Sequence, residues 1–363
     1  MNVPTLTPPG RAPLALTAAP CEVWTALDGS DIVITGAGGV VGGALRASVT
    51  AARAAYGIDA RVLLTGRRVV GQTAEHETTL MWDVTEKPPV RVLEWRDRRR
   101  PSFIVHCAAP TRSRLMVENP FEVFEACALG SVNVVRLAAL LGTEGVVQTS
   151  SMEVYGKARP SSLDDRLEEH ELGEVPPADV RSSYPLGKRA GERIFSEEAA
   201  VGATRFVSAR LAAVVGKGVP LDDPRAVAAF LRAALSGKGI ALATTGESVA
   251  NYCAAEDAAI AMLLLACRGK SGAYNVVTEP WTRTVADTAR LILNQFGAPG
   301  SHLRTGVGDP RRSGLAQDSH NYLSSARLRT LGWRPGVDWE AMAADWASMM
   351  RARVGEEHGD ERG

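Results

Sequence analysis

The chain has 363 residues, 45% of them hydrophobic, and 41 Lys+Arg balance 41 Asp+Glu. That length accommodates one large α/β domain or a dinucleotide-binding domain with a smaller lobe, and the apolar content excludes wholesale disorder. Zero formal net charge argues against sequence-independent nucleic-acid binding, which needs a basic surface, so no nucleic-acid partner is expected.

Residues 1–29 hold Pro4, Pro8, Pro9, Pro13 and Pro20 and no continuous apolar run. They read as a flexible or loosely packed N-terminal extension, not a signal peptide. The folded part is expected to begin near Asp31. Segment 31–35 (DIVIT) predicts a strand, 43–56 a helix, 61–64 a second strand and 79–85 (TLMWDVT) a third. Segment 102–107 (SFIVHC) predicts another strand, 120–141 a helix, 145–149 (GVVQT) a strand, 183–199 a helix and 205–211 a strand. The stretch 160–179, rich in Pro, Ser and acids, reads as a surface loop. From residue 221 the pattern is less regular: helix 223–235, strand 239–243, helix 255–268, then segment 274–277. Short continuous apolar strands separated by helices predict an α/β fold, a Rossmann doubly wound parallel sheet with a smaller α/β C-terminal substrate lobe. The expected divisions are the extension 1–29, a dinucleotide-binding domain 30–210, a mainly substrate-binding lobe 211–350 interleaved with the sheet, and a polar tail 351–363.

The longest purely apolar run, 258–267, falls well short of the ~20 residues that span a bilayer, so no membrane partner is expected. Five cysteines form no C-x-x-C pair, and six histidines show no metal-ligand spacing. These point to reduced thiols, a cytoplasmic setting and no metal. The run Arg96, Arg98, Arg99 and Arg100 reads as a solvated helix end or loop.

TGAGGVVG (35–42) follows the first strand directly and opens a helix. Gly36, Gly39 and Gly42 let the backbone turn sharply and approach a pyrophosphate, while the helix N-terminus offers unpaired N–H groups and partial positive charge. The second strand ends without the acid that binds a ribose 2′-hydroxyl; Arg67 and Arg68 follow instead. The cofactor is therefore NAD or NADP, with the guanidinium groups favouring the 2′-phosphate of NADP. Asp83 is placed to accept from an adenine amino group.

Tyr184 and Lys188 lie four apart in a segment with helix-start signals, Ser182 or Ser183 as a cap and Pro185 in the first turn. They share a helix face. A phenol titrates near ~10; a neighbouring ammonium, aided by an oxidised nicotinamide, is expected to lower that value. Tyr184 then takes a proton from a carbinol while hydride leaves its carbon. QTSSMEVYG (148–156), at a strand's C-terminal end, adds hydroxyls that can bind the substrate oxygen.

These residues carry a resemblance. TGAGGVVG (35–42), HCAAP (106–110), SSMEVYG (150–156), RSSYPLGKR (181–189), GESVANYCAAED (246–257), AYNV (273–276) and LGWRP (331–335) make residues 31–340 resemble the extended short-chain dehydrogenase/reductases, in particular nucleotide-sugar epimerases, dehydratases and decarboxylases. RSSYPLGKR is most similar to the decarboxylase branch. The resemblance implies Ser151 as catalytic hydroxyl, Tyr184 as base, Lys188 as its lysine and Glu153 as a second acid/base. It implies cofactor contacts at Gly36, Gly39, Val40, Val41, Gly42, Arg67, Arg68, Asp83, Val84, Ala108 and Ala109, besides Tyr184 and Lys188. It implies substrate contacts at Thr111, Met152, Arg210, Ala213 and Arg311, and a homodimer built on helices 120–141 and 183–199. Met152 replaces the family's aspartic acid or serine, Ala213 an asparagine, Ala250 a diphosphate-gripping arginine and Cys127 another asparagine. Arg210, Lys217, Arg311 and Arg312 are the alternative sources of positive charge for a diphosphate, or else solvated surface residues.

Three functions follow as expectations. The first is an NAD(P)-dependent nucleotide-sugar enzyme that transiently oxidises a sugar hydroxyl and then epimerises, eliminates or decarboxylates. The second is an NADPH-dependent reductase or dehydrogenase of a smaller metabolite, which Ala213, Ala250 and Arg67–Arg68 favour. The third is a non-catalytic Rossmann binder, which the intact Ser151, Tyr184 and Lys188 oppose.

Overall fold

The architecture is that of a computed structural model, which describes residues 16, 19–68, 73–220, 222–307 and 320–360. Seven strands form the main sheet: β1 (Asp31–Thr35), β2 (Arg61–Gly66), β3 (Glu77–Met81), β4 (Ser102–His106), β5 (Gly145–Ser151), β6 (Arg205–Leu211) and β7 (Gly272–Val276). Every pairing is parallel, and the spatial order is β7-β6-β5-β4-β1-β2-β3. The order reverses beside β1, which places a crevice outside the carboxyl ends of β1 and β4.

The longer helices are α1 (Cys21–Leu27), α2 (Val40–Tyr56), α3 (Pro120–Leu141), α4 (Ser183–Val201), α5 (Ala226–Leu235), α6 (Ala255–Arg268), α7 (Val285–Phe296) and α8 (Trp339–Asp360). Strand side chains alternate between two faces. Ile32 and Ile34 of β1 join one core with α1, α2 and the almost wholly apolar α6. Val33, Leu63, Ile104 and Val146 face the other way onto Val134, Leu137 and Leu141 of α3 and Phe195 of α4. Both sheet faces are thus covered, which is why β1 and β4 read as continuous apolar runs. Pro120 starts α3, where a missing N–H costs nothing, and Gly142 ends it in the left-handed conformation at φ 62°. A separate core in the C-terminal part joins α5, α7 and α8 through Phe230, Leu231, Ile292, Trp281, Trp339 and Trp346.

Three expectations change. Residues 21–27 are not a loose extension: α1 buries Val23, Trp24 and Leu27, and Trp24 stacks on Tyr56 with ring centroids 5.7 Å apart. The polar end of the chain does not begin as a tail at 351, because α8 continues to Asp360. The arginine run is not simply solvated. Asp31, fully buried at the start of β1, accepts two hydrogen bonds from Arg61 (2.8 and 2.7 Å), one each from Arg96 (3.4 Å) and Arg100 (3.1 Å), and one from the Asp97 backbone N–H (3.2 Å). A buried carboxylate persists only with such partners.

Asp31→Asn keeps the shape but removes the charge that three guanidinium groups share. We expect a loss of about 3 kcal/mol in urea unfolding, with dinucleotide affinity unchanged, since Asp31 lies at the end of β1 opposite the crevice. Unaltered stability would mean that the arginines are satisfied by solvent.

Candidate active site

The crevice is built from backbone first. Gly36, at φ 66°, sits where an added Cβ would lie 2.7 Å from the Ala108 Cα, and a Cβ on Gly42 would lie 2.4 Å from the Gly36 carbonyl oxygen. Neither position admits a methyl group. Gly39 begins α2 with no side-chain cap, so the first N–H groups of that helix stay available to an anion. The strand ends beneath are tied together: Thr35 Oγ1 lies 2.7 Å from His106 Nδ1, and the Ala37 N–H donates to the Thr65 carbonyl at 3.1 Å. Val40 and Val41 are half-buried against the core beside this loop, and Ala108 and Ala109 form the opposite, half-buried bank. This cradle fits a dinucleotide pyrophosphate.

The remaining cofactor candidates flank it. Arg67 and Arg68 are exposed immediately after β2. Asp83 uses Oδ1 for the Thr85 N–H and hydroxyl, at 3.0 and 2.8 Å. Val84 is buried, and its carbonyl accepts from Asn133 of α3 at 2.9 Å.

The reacting side chains come from two elements. β5 ends at Ser151, whose hydroxyl accepts the Glu153 N–H at 3.1 Å and so opens a single 3-10 turn, Met152–Tyr155. α4 begins one residue before Tyr184. Tyr184, Lys188 and Ser151 are all buried. The Lys188 ammonium donates to the Thr149 carbonyl at 2.6 Å and stands 5.8 Å from the Tyr184 ring centroid. Arg181, one helical turn before Tyr184, pairs with Glu153 at 3.3 Å.

The chain's own residues bear on the acidity of Tyr184. They hold the Tyr184 phenol well above its ordinary value. Burial is the largest cause; Cys127 and Glu153 push the same way, while the Ser151 hydroxyl and Arg181 oppose them. Lys188 is directed at a carbonyl and the ring rather than at the phenolic oxygen, so desolvation wins. Burial likewise raises the Glu153 carboxyl against the pull of Arg181, and it depresses His106 to about 3 with help from Lys188.

Among the substrate candidates, Met152 is half-buried and packs its thioether against the main core. Thr111 is exposed just past β4, and Ala213 is half-buried opposite Tyr252 in the strand pair Ala213–Val215 and Tyr252–Ala254. Arg210 is not presented to the crevice. It is 3% exposed, and its guanidinium donates to both Glu192 oxygens (2.9 and 2.7 Å), to the Glu169 carbonyl (2.6 Å) and to the Tyr155 hydroxyl (3.3 Å). With its donors turned inward it does not supply charge for a diphosphate. Arg311 and Arg312 lie outside the described residues. Sequence reasoning gave no role to Arg181 or Glu192. Both stand at helical spacing from assigned residues, Arg181 three before Tyr184 and Glu192 four after Lys188, and that spacing was the available signal.

Comparison with known proteins agrees with this fold. The family model described as NAD dependent epimerase/dehydratase family matches residues 32–277. UDP-glucuronic acid decarboxylase 3 of Arabidopsis thaliana is 27% identical over 234 residues, a stretch covering 64% of this chain and 65% of that protein, just under two thirds of its length. The structure of epimerase Mth375 from Methanothermobacter thermautotrophicus superposes with a TM-score of 0.76 at 21% identity, covering 92% of this chain and 96% of that one. A Thermus thermophilus UDP-glucose 4-epimerase in complex with NAD gives 0.68 at 23% identity, over 88% and 99%. At these identities the structural likeness speaks for the fold.

Gly42→Ala places a methyl group 2.4 Å from the Gly36 carbonyl oxygen and must displace the loop. Titration calorimetry with NAD and with NADP should show affinity reduced by at least about tenfold for whichever dinucleotide the native chain binds. Native affinity in a folded variant would remove this loop from the cofactor site.

Proposed function

The chain belongs to the NAD-dependent epimerase/dehydratase family, and we propose that it acts on a nucleotide sugar bearing a carboxylate, oxidising a ring hydroxyl and then releasing carbon dioxide. The observation that carries this reading is the Glu153–Arg181 pair, 3.3 Å apart, beside the buried phenol of Tyr184 at the rim of the glycine cradle. Arg181 is the guanidinium at this carboxyl and is the cation that a substrate carboxylate would meet. The first curated relatives are UDP-glucuronic acid decarboxylases, which supports the same choice.

The chemistry follows from the residues. Once ionised, a form that the positive charge of a bound oxidised nicotinamide would favour, Tyr184, through Ser151, accepts the proton of the sugar C4 hydroxyl. Lys188, whose ammonium holds the Thr149 carbonyl and stands 5.8 Å from the Tyr184 ring centroid, keeps positive charge on that side of the ring. The nicotinamide, when bound, accepts the hydride and returns it later. With a ketone at C4, a carboxylate on C5 is β to it. The C5–C6 bond breaks, its electron pair moves toward the carbonyl oxygen, and Glu153 returns a proton to C5. Met152 cannot transfer a proton, which disfavours dehydration across C5 and C6. NAD is the cofactor bound in structural neighbours; exposed Arg67 and Arg68 keep NADP as the competitor.

A second reading, reduction of a smaller non-nucleotide metabolite, has Ala213 and Ala250 in its favour: neither can hydrogen-bond a nucleotide through its side chain. For assembly we propose a homodimer through α3 and α4. Phe121 is 74% exposed and Phe124 40% exposed on α3, and water-exposed aromatics of that size mark a protein contact. Phe121→Glu should shift sedimentation to the monomer, and a native chain already monomeric would overturn the dimer.

The decisive assay is proton NMR of UDP-glucuronate incubated with NAD and the protein, with UDP-glucose and UDP-galactose as alternatives. Carbon dioxide release from UDP-glucuronate is the expected result. Tyr184→Phe should lower turnover by about 10²–10⁴-fold. Glu153→Gln should still build reduced nicotinamide absorbance while blocking the final product. Full turnover in Tyr184→Phe would sink the mechanism.

A further inference from the structure

We propose that the buried Glu192–Arg210 ion pair positions the catalytic groups, acting through Ser150, so that Ser150, Glu192 and Arg210 are positioning residues for the reaction. The inference rests on the proposed function only for its turnover readout. Three consecutive residues at the end of β5 are each fastened to α4. The Thr149 carbonyl accepts from Lys188 at 2.6 Å, the Ser150 hydroxyl donates to Glu192 Oε1 at 2.6 Å, and Ser151 stands against Tyr184. Tyr184, Lys188 and Glu192 repeat every four residues, one turn apart on a single helix face. The strand end and the helix are therefore stitched at three successive points, and Glu192 holds the lowest.

Arg210 fixes Glu192 in turn. It is the register partner of Ser150 on β6, and it grips both carboxylate oxygens at 2.9 and 2.7 Å. Its other arm donates to the Tyr155 hydroxyl and the Glu169 carbonyl. Tyr155 closes the turn that carries Glu153, and its own hydroxyl donates to Asn275 Oδ1 at 2.9 Å. One ion pair thus sets the relative placement of Ser151, Tyr184 and Glu153 without touching substrate or cofactor. The Arg210 and Glu192 side chains are 4% and 12% exposed. A buried pair of this kind contributes little net stability compared with apolar packing, because desolvation offsets attraction. What it supplies is a fixed bidentate geometry, and a misplacement of about 1 Å in a catalytic group is costly.

Ser150→Ala removes one hydrogen bond and leaves the ion pair intact, so the chain should fold. With NAD and UDP-glucuronate, we expect kcat to fall about tenfold while KM and dinucleotide affinity stay within about twofold. Ser150→Thr, which keeps the hydroxyl, should restore most of the rate. Glu192→Gln leaves the Arg210 charge buried without its carboxylate and should lower both stability and kcat. Hydrogen exchange without substrate supplies an independent arm: amides 150–156 and 184–188 should exchange faster in Ser150→Ala than in the native chain. If the native chain turns over no UDP-glucuronate, the functional reading fails, and the exchange arm alone decides the positioning role. Unchanged kcat, or unchanged exchange at both segments, overturns the inference. So does a kcat loss that Ser150→Thr does not relieve.

Discussion

The site depends on two backbones meeting at a distance that no side chain could share. Gly36 turns against Ala108 with 2.7 Å between its would-be Cβ and the Ala108 Cα, and Gly42 closes on Gly36 in the same way. That double contact brings the first turn of α2 over the ends of β1 and β4 and leaves its N–H groups facing the crevice. Everything chemical is arranged around the crevice so formed. The banks are Ala108 and Ala109 on one side and the residues after β2 and β3 on the other; β5 and α4 then bring hydroxyl, phenol and amine to its rim. A methyl group at residue 36 or 42 would move the reference point for all of them.

Burial shapes the reactivity of this rim more than charge does. Tyr184 is pushed away from ionisation by its surroundings although a lysine stands one turn beyond it. The expectation from the Tyr184–Lys188 spacing, a phenol made acidic by its amine neighbour, sets the ammonium against the hydroxyl. Here the ammonium serves the Thr149 carbonyl. Ionising the phenol therefore calls for further positive charge near the ring, which an oxidised nicotinamide carries. Coupling proton removal to dinucleotide occupancy in this way would keep the base quiet until it is needed.

Much of the sheet could be read from the chain, because a strand buried on both faces and a helix bounded by Pro and Gly announce themselves locally. The strands at 31–35 and 205–211 and the helices at 120–141 and 255–268 coincide with β1, β6, α3 and α6. The phosphate loop was visible as glycine spacing. The helix at Cys21–Leu27 was not, since five prolines in the first twenty residues outweighed a seven-residue apolar pattern. Asp31 looked like a strand's first residue, and only the return of the chain through residues 61, 96 and 100 shows why a carboxylate is tolerated there. Arg210 failed as a substrate contact for a similar reason. Its partners, Glu192, Glu169 and Tyr155, are far apart in sequence and meet only once β6 lies beside β5.

The outermost strand β7 is reached only after the chain has left β6, built the helices α5 and α6 and come back. No single cut therefore yields two self-sufficient pieces. Cleavage after residue 211 would strip an edge from the sheet and take away α6, the apolar slab beneath β4, β5 and β6. The C-terminal part and the half that carries the glycine cradle should melt together in calorimetry, in one transition whose midpoint rises with dinucleotide concentration as mass action demands. Occupancy of the cradle would then be felt as far away as the tryptophan-rich core of α7 and α8, with no moving part between them.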